Sequence, residues 1–131
     1  MATNKTLYIC ALIAGIILTL SSFMHATGIN MIREFIKNGG IGAEFAPTAF
    51  MIWIFGSVTM LLTGVTVIYL AGKLKKSEKG AWWLALFIGV VLATFGSITF
   101  INSPDAYQEL IFVTVGLLLI VPLLIFMRRF R

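Results

Sequence analysis

A single histidine, His25, occurs in the 131 residues, inside the stretch SSFMHATGIN at positions 21–30. An imidazole can serve as a general base or a ligand anchor when a carboxylate or hydroxyl stands within reach. Groups of that kind gather at three places. Ser21 and Ser22 lie one turn before the histidine, Glu34 and Glu44 follow it, and Asn102, Ser103, Asp105, Gln108 and Glu109 surround the turn between the last two apolar runs. His25 with Glu109, Asp105 or Glu44 would make an acid–base pair. His25 with Ser22 and Asn102 would anchor a small ligand. The plainer alternative is an imidazole hydrogen-bonded to Ser21, Ser22, Asn102 or water, holding helices together, which costs little near a membrane interface. Thr59, Thr63 and Thr66 recur with Gly56 along one helical face, either as packing surface or as the lining of a hydrated path, and Thr59 and Thr63 are further ligand-binding candidates.

Other chemistries lack their residues. One histidine and one cysteine (Cys10) exclude an intrachain disulfide, a CxxC motif and a His-rich metal site, so no metal or cofactor is expected. Haem held by two histidines would need a second protomer. Phosphate-binding loops, GxSxG elbows and HExxH helices are absent.

The elements that must position these groups follow from composition. The chain is 60% hydrophobic and 11% charged, with a mean hydropathy of +1.01, which places it in the membrane class as a single domain, 1–131. Four apolar runs, 7–27, 49–71, 81–101 and 107–127, are each 21 to 23 residues long. At about 1.5 Å per residue each can cross the roughly 30 Å hydrocarbon layer as a helix. Continuous apolar runs without period-two alternation exclude barrel strands. The expected fold class is therefore an all-α integral membrane protein, a four-transmembrane-helix bundle.

Eight of the ten basic residues fall on one side of this arrangement: Lys5, the loop lysines Lys73, Lys75, Lys76 and Lys79, and Arg128, Arg129 and Arg131. Only Arg33 and Lys37 fall on the other. The positive-inside rule then puts both termini in the cytoplasm of a bacterial-type plasma membrane. The net charge of +5 lies in short clusters beside apolar runs, which suits an anionic inner leaflet and not a nucleic acid. Trp82, Trp83 and Tyr107 sit where an interfacial aromatic belt is expected. The first run is longer than a signal-peptide core and is read as a retained span.

Within the long loop, Ile29, Met31, Ile32, Phe35 and Ile36 fall on one half of a helical wheel, and Asn30, Arg33, Glu34, Lys37 and Asn38 on the other. This split predicts an amphipathic helix near 30–38, with Asn30 as N-cap and Asn38-Gly39-Gly40 as stop, lying in the outer interface or over the bundle mouth. Pro47 can open the second span without wasting a donor. Small residues mark the helix contacts, because lipid gives no hydrophobic reward for association. Span 1 offers Ala11, Ala14, Gly15 and Ser22 on the arc of His25, span 2 offers Gly56, Thr59, Thr63 and Thr66, and span 3 offers Ala85, Gly89, Ala93 and Gly96. The first three spans are expected to pack closely, with a bulkier fourth span kinked at Pro122.

In size the chain resembles small four-span multidrug exporters. Those share a membrane-embedded glutamate on the first span, and span 1 here has no carboxylate, which disfavours proton-coupled antiport by that mechanism. DoxX-like proteins are similar in outline, with short loops and glycine-bearing helices, and no motif carries a residue over. The expectation is a non-enzymatic accessory or interaction subunit that binds a small lipophilic ligand, with a membrane protein or a second copy as partner. The alternatives are a membrane enzyme using His25 at the outer mouth, and an oligomeric transporter or pore.

Overall fold

The computed structural model describes residues 2–40, 42–103 and 107–130, and all of their regular structure is helical. Five α-helices follow one another: α1 (Ala2–Thr27), α2 (Ile29–Lys37), α3 (Ala46–Lys75), α4 (Lys79–Asn102) and α5 (Leu110–Ile125). Three segments, Lys5–Lys37, Ala46–Lys75 and Lys79–Asn102, are long and apolar enough to cross a membrane. The fourth apolar run is not one α-helix. It divides into a 3-10 turn (Tyr107–Glu109), α5 and a second 3-10 turn (Met127–Phe130). Pro122 has no N–H to give to the turn before it, and α5 stops three residues later. Sixteen α-helical residues reach about 24 Å, and the looser 3-10 rise of roughly 2 Å per residue extends that reach.

The helices associate as two antiparallel pairs. α1 runs along α3, α4 runs along α5, the pairs meet mainly where α1 touches α5, and α3 touches α4 only sparsely. Each pair crosses on two glycines. A Cβ placed on Gly15 would stand 2.9 Å from the Gly64 carbonyl oxygen, and one on Gly64 would stand 2.9 Å from that of Gly15. In the second pair, a Cβ on Gly116 would lie 2.6 Å from the Gly89 carbonyl oxygen, and one on Gly89 would lie 3.1 Å from that of Gly116. Backbones this close exclude any side chain at the crossing. Gly15 and Gly89 fall on the arcs read from the sequence. The partners differ from expectation: α3 uses Gly64 and not its threonine stripe, and α5, taken as the bulky span, packs tightly through Gly116.

Large buried side chains gather at the end that holds both chain termini, called the base here. Leu7, Ala11, Leu74, Ala81, Trp82 and Leu123 pack there, with Leu18, Val67, Val115 and Leu119 nearer the middle. The Trp82 indole N–H donates to the Leu123 carbonyl at 2.9 Å, and its ring lies 6.2 Å from that of Phe130. Trp82 is therefore a clamp inside the bundle, not a belt residue, whereas Trp83 and Tyr107 are exposed. The α3–α4 connection is a Schellman turn, with Ser77 N–H on Leu74 O and Glu78 N–H on Lys73 O. It holds the non-glycine Ser77 at φ 60°.

The opposite end, the mouth, is built differently. α1 passes into α2 with only Gly28 between them, so Gly28, not Asn30, occupies the N-cap position, and no side chain caps it. α2 ends at Asn38-Gly39-Gly40, as the sequence predicts. Gly39 takes φ 76°, its N–H bonds Ile36 O, and Gly40 N–H bonds Phe35 O. No residue of α2 is buried. Pro47 stands in the first turn of α3.

Candidate functional site

His25 lies in the last turn of α1, and α3 brings Trp53 and Ser57 to the same level. The two α3 residues are four apart, so they share a face. The imidazole Nδ1 lies 2.8 Å from Ser57 Oγ, and the Ser57 hydroxyl lies 3.1 Å from the Trp53 carbonyl oxygen. The Trp53 indole N–H donates to the His25 carbonyl oxygen at 2.7 Å. The two rings stack with centroids 4.0 Å apart and planes inclined by 14°. The circuit runs from α1 to α3 and back, and we call it the latch.

Ser57 Oγ stands within hydrogen-bond reach of two groups, His25 Nδ1 at 2.8 Å and the Trp53 carbonyl oxygen at 3.1 Å. Where its one proton goes to the carbonyl, Nδ1 carries hydrogen and donates to Oγ; where it goes to Nδ1, the hydrogen of the neutral ring is on Nε2. In both arrangements the imidazole is tied to α3 through Ser57.

Glycines make the arrangement fit. A Cβ on Gly28 would stand 2.5 Å from Trp53 Cζ2, so a side chain there would displace the indole. A Cβ on Gly56 would stand 3.3 Å from His25 Cε1 and 3.8 Å from Nε2. The His25 carbonyl also accepts from the Gly28 N–H at 3.0 Å, so the indole bond falls where α1 turns into α2. The latch therefore joins α1 to α3 and fixes the bend that launches α2.

No protein-family model matches this chain, and no curated protein or solved structure matches it. Its functional reading rests on this geometry.

Glu109 lies in the 3-10 turn ahead of α5, at the same end of the bundle as His25. Its Oε2 lies 3.4 Å from Thr99 Oγ1, whose one proton has closer acceptors in the carbonyls of Phe95 (2.9 Å) and Gly96 (3.1 Å). The carboxylate is therefore not used up by Thr99. Glu44 is exposed on the turn before α3, and its carboxylate lies back over Gly42. Asp105 and the side chain of Gln108 lie outside the described residues.

Ser22 is buried but donates to Thr19 O at 2.6 Å, and Asn102 donates to its own helix at Ile98 O, 2.7 Å away. Neither of these two expected partners holds the imidazole; Ser57 does. On the α3 stripe, the Thr63 hydroxyl is bonded to Thr59 O at 2.8 Å. Among the described residues no group of three or more His, Cys, Asp or Glu could hold a metal ion. A small gap in the basal core, bounded by Leu7, Cys10, Leu74, Leu118 and Pro122, has no room for water.

Trp53 and Ser57 are the residues that sequence reasoning missed. Both lie within nine residues of the second span's start, as His25 lies within three of the first span's end. Matching depths across the antiparallel pair would have found them.

Proposed function

We propose that this protein is a four-span membrane subunit with both termini in the cytoplasm, acting by holding a lipophilic ligand or another membrane protein and not by catalysis. The observation that carries this reading is the latch. The only imidazole of the chain is stacked on Trp53 and hydrogen-bonded through Nδ1 to Ser57, and the Trp53 indole returns to the His25 carbonyl, which supports a positioning role between α1 and α3. The broad apolar exposure of α3 and α4 adds support. Ile52, Phe55, Leu62, Phe87, Val91 and Ile98 all point outward, as a surface meeting lipid or partner helices requires. In this reading α2 rests in the outer interface, Met31 and Phe35 toward the acyl chains and Arg33 and Lys37 toward the headgroups. The lysines at 73–79 and the arginines at 128–131 face the anionic inner leaflet.

A second reading, a membrane enzyme with a His25/Glu109 acid–base pair, draws on one observation, the placement of both residues at the mouth. Native mass spectrometry of the protein extracted in mild detergent tests the first reading. The expected spectrum shows the chain carrying a lipophilic adduct, a second copy or a second protein. A bare monomer under every gentle condition contradicts it.

A further inference from the structure

α2 is nine residues long, has no side-chain N-cap and buries none of its residues. A helix that short is not stable alone in water, so the surfaces it lies between must hold it. At roughly 100° per residue its apolar arc divides into two strips. Ile29, Ile32 and Ile36 form one; they are half-covered, and the contacts of α2 with the bundle run chiefly to α3. Met31 and Phe35, one turn apart, form the other and are exposed, as is Phe45 in the turn that follows. One strip is seated on the protein and the other is bare.

The bare strip continues a row of apolar side chains. Phe23 and Met24 are exposed in the last turns of α1, and only Gly28 separates α1 from α2. Both helices belong to one segment apolar enough to cross a membrane. Across the helix from Met31 and Phe35 stand Arg33 and Lys37. Both cations are exposed, and among the described residues neither forms an ion pair. An apolar strip with unpaired cations opposite it complements a phospholipid surface, where acyl chains meet the strip and the long basic side chains reach phosphates.

The junction below α2 is also where the latch is fastened. A Cβ on Gly28 would stand 2.5 Å from Trp53 Cζ2, so Gly28 lies against the edge of the indole. The His25 carbonyl accepts the Gly28 N–H at 3.0 Å and the Trp53 indole N–H at 2.7 Å. A change in the angle of α2 therefore moves Gly28 against the ring that stacks on His25.

We infer that α2 is a lever docked on the outer phospholipid surface through Met31 and Phe35, and that this docking sets the angle at Gly28 and with it the Trp53–His25 stack. The inference rests on the four-span reading above. It adds a route by which the lipid surface acts on the latch.

The test uses the full chain in phosphatidylcholine nanodiscs. Docking is read with single nitroxide-labelled cysteines in place of Met31, Arg33, Phe35 or Lys37, in a Cys10→Ala background. Labels at 31 and 35 should be relaxed mainly by oxygen, which concentrates in hydrocarbon. Labels at 33 and 37 should be relaxed mainly by a water-soluble nickel chelate. The route to the latch is read by fluorine NMR of fluorotryptophan, with the Trp53 signal assigned by Trp53→Phe. Met31 is 73% exposed, so Met31→Asp takes little from the protein while setting a charge against the acyl chains. It should move the Trp53 resonance and leave that of Trp82, at the base, in place. Asn30→Asp adds the same charge on the polar face and should move neither. If Met31→Asp does not fold, Met31→Gln carries the same test, with a smaller shift of Trp53 expected.

Three outcomes overturn the inference: the labels at 31 and 35 respond to the chelate as those at 33 and 37 do; the folded Met31 variant leaves Trp53 in place; or Asn30→Asp moves Trp53 as far as Met31→Asp. Each would leave the holding reading standing if native spectra still carried an adduct or a second chain. A bare monomer there, with Trp53 responding here, would instead retire that reading and keep the lever.

Discussion

The two helix pairs share a plan and differ in where they are tied. Both cross on reciprocal glycines, Gly15 with Gly64 and Gly89 with Gly116. Both are tied by an indole N–H on the partner helix's backbone: Trp53 to His25 O in the first pair, Trp82 to Leu123 O in the second. The first tie stands at the mouth and the second at the base. The basal tie is finished, because Trp82 is buried among apolar neighbours and its one polar atom is bonded. The mouth tie is more open, since His25 and Trp53 are only partly covered. The same device thus completes a core in one pair and leaves a reachable polar group in the other, so the mouth is where function is sought.

The largest effect should come from the crossings. Gly116→Ala sets a Cβ against the Gly89 carbonyl oxygen, the Ala93 nitrogen and the Ala93 Cβ at 2.6 to 2.8 Å, none of which is a flexible side-chain end. Gly64→Ala meets Thr19 Oγ1, Thr19 N and Gly15 O at 2.5 to 2.9 Å. Each should destabilise the bundle by about 3 kcal/mol, at the upper end of overpacking costs. Thermal unfolding in detergent reads this. If the pairs are alike in plan, the two losses should agree within about 1 kcal/mol.

Next in size, Trp82→Phe should cost about 2 kcal/mol, since it strips the donor from a carbonyl in the buried base. Trp53→Phe should cost about 1 kcal/mol, because the His25 carbonyl keeps the Gly28 N–H. Equal losses would erase the contrast between a finished and an open tie. Ser57→Ala should cost about 1 kcal/mol, within the range for interhelical hydrogen bonds in membranes, and should restore the mobility of the His25 ring measured by NMR relaxation. The smallest change is a gain: Ser77→Gly relieves the positive φ at the α3–α4 turn and should stabilise by ~0.5–1 kcal/mol, away from both ties.

The parts legible in the sequence were those written locally. Apolar runs marked the long helices, the polar–apolar split at 29–38 marked α2, and Asn38-Gly39-Gly40 marked its stop. The arc of His25 was also local. What escaped depends on register between segments distant in the chain. Gly64 looked like one small residue among threonines, and only the approach of α1 selects it. Ser57 and Trp53 become partners of His25 because α1 and α3 cross at Gly15 and Gly64, which sets both helices' depths at the mouth. Trp82 read as an interfacial residue because its bonding partner, a backbone carbonyl near Pro122, has no side-chain signature. Pro122 announced a disturbance, but not that α5 would end in 3-10 geometry.

The central claim is that the latch ties His25 to α3 through Nδ1 and Ser57. Nitrogen-15 NMR of the labelled imidazole in lipid nanodiscs at pH 8, comparing the parent with Ser57→Ala, reads this directly. The account predicts that removing the hydroxyl moves the Nδ1 resonance and loosens the ring. An imidazole spectrum unchanged by Ser57→Ala would contradict it.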